Sequence, residues 1–220
     1  MVQTPTTQGP RRGRQAEAAR NDLKVLEAAR QVFSTRGWDA PVAAVAERAG
    51  VGMGSLYRRY GSKTELLQYL CVLSMRQTID AAKTALALED PWEALAGYVQ
   101  ACVAIGAGAF APLAGTIEVT GEMLATAKKA SRLRRRLVVQ ARRGGRLRPD
   151  VTDVDIWALI EQFSRAGANP DSGDDPVIQA RLLTIVIDGL GSKGATPLPG
   201  PAPDRHANAR RWTTSAWPSR

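Results

Sequence analysis

Residues 49–67 read "AGVGMGSLYRRYGSKTELL". Gly50, Gly52 and Gly54 alternate, and a hydroxyl (Ser55), a phenol (Tyr57), two arginines (Arg58, Arg59) and Lys63 follow. These residue types meet phosphate, either that of a bound nucleotide or that of a nucleic-acid backbone. A dinucleotide fingerprint needs G-x-G-x-x-G directly after a strand. Here the preceding residues have a helical pattern, and Ser55 stands where the third glycine would be. A P-loop ends in G-K-[ST], and "GSK" has the wrong order. The nucleotide reading fails. Two readings of the spacing are left: a helix-turn-helix, and a surface helix that happens to be basic.

Working outward, "PVAAVAERAG" places Val42, Val45, Ala46 and Ala49 on one helical face, starting at Pro41 and ending at Gly50. "MGSLYRRY" is a short third helix in which Leu56 and Tyr60, four apart, hold it to a core. The first helix runs from about Ala16 to Thr35, with Val25, Leu26, Ala29, Val32 and Phe33 inward and Gly37 as its stop. Before it, residues 1–15 are polar and carry Arg11, Arg12 and Arg14, which reads as a flexible basic arm. Residues 1–63 hold 11 Lys/Arg against 5 Asp/Glu, so most of the chain's net charge of +9 lies in its first quarter. A polyanionic partner would bind there.

Beyond Ser62, which caps a helix with Glu65 in a capping box, the helices lengthen. Asp90–Pro91 open another, with Trp92, Leu95, Val99 and Cys102 at helical spacing. Residues 106–127 are Gly/Ala-rich, broken by Pro112, and read as one or two loosely packed helices. Residues 128–148 contain ten basic residues and no acid, which reads as a solvated helix face with arginine stems lying on apolar neighbours. Thr152 and Asp155 open a helix, and "AGANPDSGDD" is a loop. In the last helix, "PVIQARLLTIVIDGL", apolar residues cover more than one face, so a second chain is expected to bury the surplus. Residues 192–220 read as a disordered tail.

Residues 20–67 resemble the N-terminal DNA-binding domain of the TetR family of transcriptional regulators. The run that carries the resemblance is A-G-V-x-x-G-[ST]-L-Y-x-x-[FY]-x-[ST]-K-x-x-L-L, matched nearly throughout by Ala49 to Leu67. "GGRLRPDVTDVDIWALIEQF" and "LLTIVIDGL" more loosely resemble the effector-binding half of actinobacterial-type members. The resemblance implies an all-α fold, with a three-helix helix-turn-helix domain (16–61) and a larger helical effector-binding and dimerisation domain (62–191). It implies that Ser55, Tyr57 and Lys63 bind phosphates. Met53, Gly54 and Arg58 would face the major groove, Arg58 as the base reader, and Arg59 would serve either purpose. Two departures stand out: Pro41 and Val42 replace a phosphate-binding threonine, and Gly52–Met53 replace a commoner Ser–Lys pair. The arginines of the arm could add minor-groove contacts.

Catalysis finds no set of residues to carry it. The one histidine, His206, falls in the tail, no His/Cys/Asp cluster has metal-ligand spacing, and no G-x-S-x-G occurs. No cofactor and no metal are implied. Cys71 and Cys102 read as small buried hydrophobes of a reducing compartment. The chain has no secretory leader pattern and no membrane-length apolar run, so the expectation is a cytoplasmic protein that does not engage membranes. Trp92, Tyr98, Phe110, Ile117, Met123 and Trp157 lie among the long helices, and most of these aromatics read as core; the resemblance implies an effector pocket in this region, which makes the six its candidate lining. The reading is a homodimeric, ligand-responsive regulator on a palindromic operator in double-stranded DNA, and the resemblance implies a repressor. Its rival is a small-molecule binding or sequestering protein with degenerate DNA binding.

Overall fold

The computed structural model describes residues 10–36, 39–166, 175–191, 193–204 and 210. Among them are eight α-helices and no strand: α1 (Pro10–Arg36), α2 (Val42–Ala49), α3 (Met53–Tyr60), α4 (Lys63–Ala85), α5 (Pro91–Ala104), α6 (Gly121–Arg143), α7 (Asp153–Ala166) and α8 (Pro176–Gly189). The fold is all-α, as the sequence implied.

Local chemistry accounts for most helix starts. Asp90 accepts from the N–H groups of Trp92 and Glu93, and Asp175 from that of Val177. Each is followed by a proline, whose missing N–H costs nothing at the first helical position. Thr120 accepts from Met123 N–H to open α6. At α7 the capping box is reciprocal: Thr152 N–H donates to Asp155, and Asp155 N–H to the Thr152 hydroxyl. At α4 it is only half made. Ser62 Oγ accepts from Glu65 N–H at 3.1 Å, but Ser62 N–H turns to Tyr60 O. Pro41 is the N-cap of α2 and not its first helical residue, and no side chain caps that end.

Several expectations are corrected. α1 begins at Pro10, so residues 10–15 are helical where an arm was expected; residues 1–9, and the stop at Gly37, lie outside the described residues. Residues 106–120 are turns with one 3-10 turn (Ala111–Leu113), and the helix expected there starts only at Gly121. Glycine and proline in that stretch break the hydrogen-bond ladder too often to propagate a helix. The loop 167–174 lies outside the described residues. Of the tail, residues 193–204 are described and exposed, yet they are tied to the α6–α7 corner. Arg148 donates to Thr196 O, and Leu198 N–H donates to Asp150 at 3.0 Å. Leu147 also forms a lone antiparallel bridge with Gly191. His206 and residues 211–220 lie outside the described residues.

Two hydrophobic clusters organise the packing. The first joins α1, α2 and α3 to the first half of α4, and it also takes in Phe110, Leu113 and Met123. The second joins the end of α4 to α5, the C-terminal part of α6, α7 and α8. The change from one cluster to the other therefore falls inside α4, between Val72 and Ala82. α4 is the shared beam, 23 residues and about 34 Å long. One glycine is required by close approach: a Cβ on Gly108 would sit 2.4 Å from the backbone Cα of Glu161, so only glycine lets this turn lie against α7.

Candidate nucleic-acid interface and ligand cavity

The connection between α2 and α3 (residues 50–52) turns at Gly50. Its φ of +66° is left-handed, Gly50 N–H donates to Glu47 O, and Val51 N–H donates to Ala46 O, a Schellman arrangement that closes α2. Gly52 is extended (φ −70°, ψ 136°) and serves as the N-cap of α3. Of the three alternating glycines, only Gly50 has a positive φ. A Cβ on Gly54 would meet open space, so nothing inside the fold demands a glycine there.

α3 buries Leu56 and Tyr60 and exposes Gly54, Ser55, Tyr57, Arg58 and Arg59. Tyr57 keeps 45% of its surface open to solvent. Arg58 reaches back along the exposed face to Ser55 Oγ at 3.3 Å. Met53, expected to face the groove, is half-buried and packs against the first hydrophobic cluster. Lys63 Nζ donates to Ala40 O at 3.1 Å, which ties the start of α4 to the residue preceding the Pro41 cap.

Arg59 is committed elsewhere. Its guanidinium donates to Asp22 of α1 at 2.6 Å and lies 5.6 Å from the Tyr60 ring centre. The same carboxylate accepts from the Tyr60 hydroxyl at 2.6 Å and from the Tyr69 hydroxyl of α4 at 2.7 Å. Asp22 is 5% exposed, so this is a buried three-donor clamp joining α1, α3 and α4. Burial, together with the Asp22 bond, pushes the Tyr60 phenol up. Sequence reasoning missed Asp22, although a signal was present. It stands three and four residues before Val25 and Leu26, in register with the buried stripe, where a carboxylate must find donors.

A cavity of about 650 Å³ opens between α4, α6, α7 and the 107–119 segment. Of the six sequence candidates, Phe110, Met123 and Trp157 line it. Trp92, Tyr98 and Ile117 do not. Trp92 and Tyr98 belong to the second cluster, Trp92 lying beneath Arg146 at 5.1 Å, and Ile117 packs against the first. Cys71, Ser74, Met75 and Thr78 form the α4 wall. Burial pushes the thiols of both Cys71 and Cys102 up to about 12, so neither is a nucleophile at neutral pH. Arg30 of α1, itself buried, donates to the Ser74 hydroxyl at 3.0 Å and to Gln77 at 2.8 Å from behind this wall.

The basic run of 128–148 divides by position. Arg142 donates to Val151 O, Arg146 faces Asp90 and Glu93, and Arg148 is bidentate on Asp150, so these close the α5–α7 end. Lys128, Arg132, Arg134 and Arg135 instead line the cavity. Arg134 is buried, stacked 5.1 Å from Trp157 and bonded to Asp153, while Trp157 Nε1 donates to Glu161 at 2.6 Å. The expectation of a merely solvated face thus holds for part of the run only. Among the described residues no His/Cys/Asp/Glu group could hold a metal ion, and no helix is long and apolar enough to cross a membrane.

The family model for bacterial regulatory proteins of the tetR family matches residues 25–70, and that for the SbtR-like transcriptional regulator C-terminal domain matches 90–192. No curated protein matches the chain. Among solved structures, a TetR transcription regulatory protein from Mycobacterium vanbaalenii is 29% identical. The match covers 80% of this chain and 98% of that one, with a TM-score of 0.55. A TetR transcriptional regulator from Streptomyces coelicolor is 26% identical over 79% and 99%, with a TM-score of 0.56. The TetR-like regulator LfrR of Mycobacterium smegmatis, solved with proflavine, shares the fold at 21% identity over 82% and 99%, with a TM-score of 0.56.

Proposed function

The chain belongs to the TetR family of transcriptional regulators, and on that premise we propose that it is a homodimeric repressor that releases a palindromic DNA operator when a small molecule fills its cavity. The observation that carries this reading is the outward face of α3. Leu56 and Tyr60 anchor the helix, while Gly54, Ser55, Tyr57 and Arg58 stand together in solvent. Open space at Gly54 lets a DNA backbone or base edge come close. Tyr57 and Ser55 hold phosphates, Lys63 adds charge from the start of α4, and Arg58 reads guanine in the major groove. Arg59, held by Asp22, orients the helix and does not read bases. No catalytic step and no cofactor are assigned, and the place of action is the cytoplasm.

The second copy follows from α8. Val177, Ile178, Leu182, Ile185 and Val186 are all exposed, from 36 to 65%, while only Leu183 and Ile187 of that helix are buried. Five large aliphatic side chains on one short helix favour an interface between copies. Two such chains would set their α3 helices about 34–36 Å apart, one turn of DNA. Control runs through α4, whose Ser74 and Met75 wall the cavity and whose Tyr69 completes the Asp22 clamp on α3. A ligand that fits better when α4 is displaced lowers DNA affinity by that difference.

The test is enrichment of genomic fragments by the full chain, followed by gel-shift titration of the enriched site. Arg58→Ala should cost about 1–3 kcal/mol of discrimination at one base position, whereas Tyr57→Phe should weaken all sequences alike. If no fragment is enriched, the sequestering-protein reading takes over. A monomer at micromolar concentration in sedimentation would rule out the dimer.

A further inference from the structure

The cavity's exposed charges have one sign. Lys128, Arg132 and Arg135 stand at i, i+4 and i+7 on α6, one face of the helix, and all three are exposed. Arg135 shares Asp153 with the buried Arg134, at 3.5 and 3.4 Å. Lys128 and Arg132 have no carboxylate partner among the described residues. The one carboxylate on the lining, Glu161, is 5% exposed and already takes the Trp157 hydrogen. Like charges at i and i+4 destabilise a helix, and among the described residues no carboxylate offsets the Lys128–Arg132 pair. Beside it lies a wall that is mainly apolar, with Met75, Phe110, Val119 and Met123 as its larger members.

We propose that the cavity takes an amphiphilic anion, its apolar body against Met75, Phe110, Val119 and Met123 and its oxyanion at Lys128 and Arg132. The inference rests on the cavity being the effector site and adds the ligand's chemistry. A carboxylate and a phosphate monoester share the chemistry this face recognises, and the probes below separate them. Arg132, with its planar fork, suits either group bidentately, and Lys128 adds a point charge.

The experiment is calorimetric titration of the full chain, below micelle-forming concentrations, with dodecanoate, dodecyl phosphate, dodecanol and dodecyltrimethylammonium. At least one anion should bind about tenfold tighter than dodecanol, and added salt should erode that advantage. Whichever anion leads names the head group. In the double variant Lys128→Gln, Arg132→Gln the advantage should fall to within about twofold, with dodecanol affinity unchanged. Both positions are exposed, so the fold should tolerate the change. Equal or tighter binding of dodecanol or of the cation overturns the proposal, as does an anion advantage that survives the double variant. Ala127→Trp, at an exposed lining position, separates the two levels. Dodecanol binding that survives this occlusion, or no binding of any probe, sinks the effector-site reading and this inference with it. Dodecanol binding that Ala127→Trp abolishes, with no anion advantage, sinks the charge assignment alone. If the double variant weakens DNA binding in the absence of amphiphile, α6 carries a polyanion and the proposal falls.

Discussion

α3 and α6 both present arginines to solvent, but the space in front of them differs. α3 is eight residues long, and its cations stand beside a glycine with nothing in front of it. α6 is 23 residues long, and its cations rim a hollow lined by methionine, phenylalanine and alanine. The first setting suits the DNA duplex proposed for it; the second suits the amphiphile proposed for it, one charged group with an apolar body behind it. A count of positive residues would rank α6 above α3 as a nucleic-acid surface. The neighbours favour the opposite ranking.

The largest blow to the α3 side of this comparison is Asp22→Ala. Removing the carboxylate strips partners from Tyr60, Tyr69 and Arg59 at once. A loss of about 3 kcal/mol in urea unfolding is expected, from buried donors left unsatisfied, with DNA affinity falling in the folded fraction. A loss under about 1 kcal/mol would mean the clamp does not hold α3. On the α6 side, Gly108→Ala forces a methyl against the Glu161 backbone and should cost about 2 kcal/mol by overpacking. It should weaken amphiphile binding and spare DNA affinity; the reverse pattern would erase the distinction between the two surfaces. The smallest effect has two signs. Gly54→Ala should stabilise the chain by about 0.5 kcal/mol through helix propensity, yet weaken DNA binding, because its methyl enters the space the DNA would take. Unchanged gel shifts would show that DNA does not approach there.

Much of the helical layout was legible because apolar spacing and caps are local. Val25 to Phe33 on α1, Leu56 and Tyr60 on α3, and the Asp90, Ser62 and Thr152 starts all follow from residues within a few positions of one another. What lay beyond reach depends on which helix faces which. Asp22 gains its meaning from Tyr60 and Tyr69, 38 and 47 positions away. Arg30 gains its meaning from Ser74, 44 away. Trp92 and Tyr98, candidates for the cavity, pack into a core, because a face pattern on α5 does not tell a solid contact from a hollow one. The 106–120 segment has no period to read, so the close approach at Gly108 left no trace in the sequence.

The bridge from Leu147 to Gly191 and the bonds of Arg148 and Asp150 to residues 196 and 198 have a consequence for assembly. α8 buries few side chains in its own chain and exposes many, the profile of an element that two copies could trade. The strap fastens the chain immediately after α8 to the α6–α7 corner of the same molecule. To exchange α8, both copies would have to release that fastening first. The arrangement therefore adds to the barrier for exchange and leaves the exposed face of α8 uncovered.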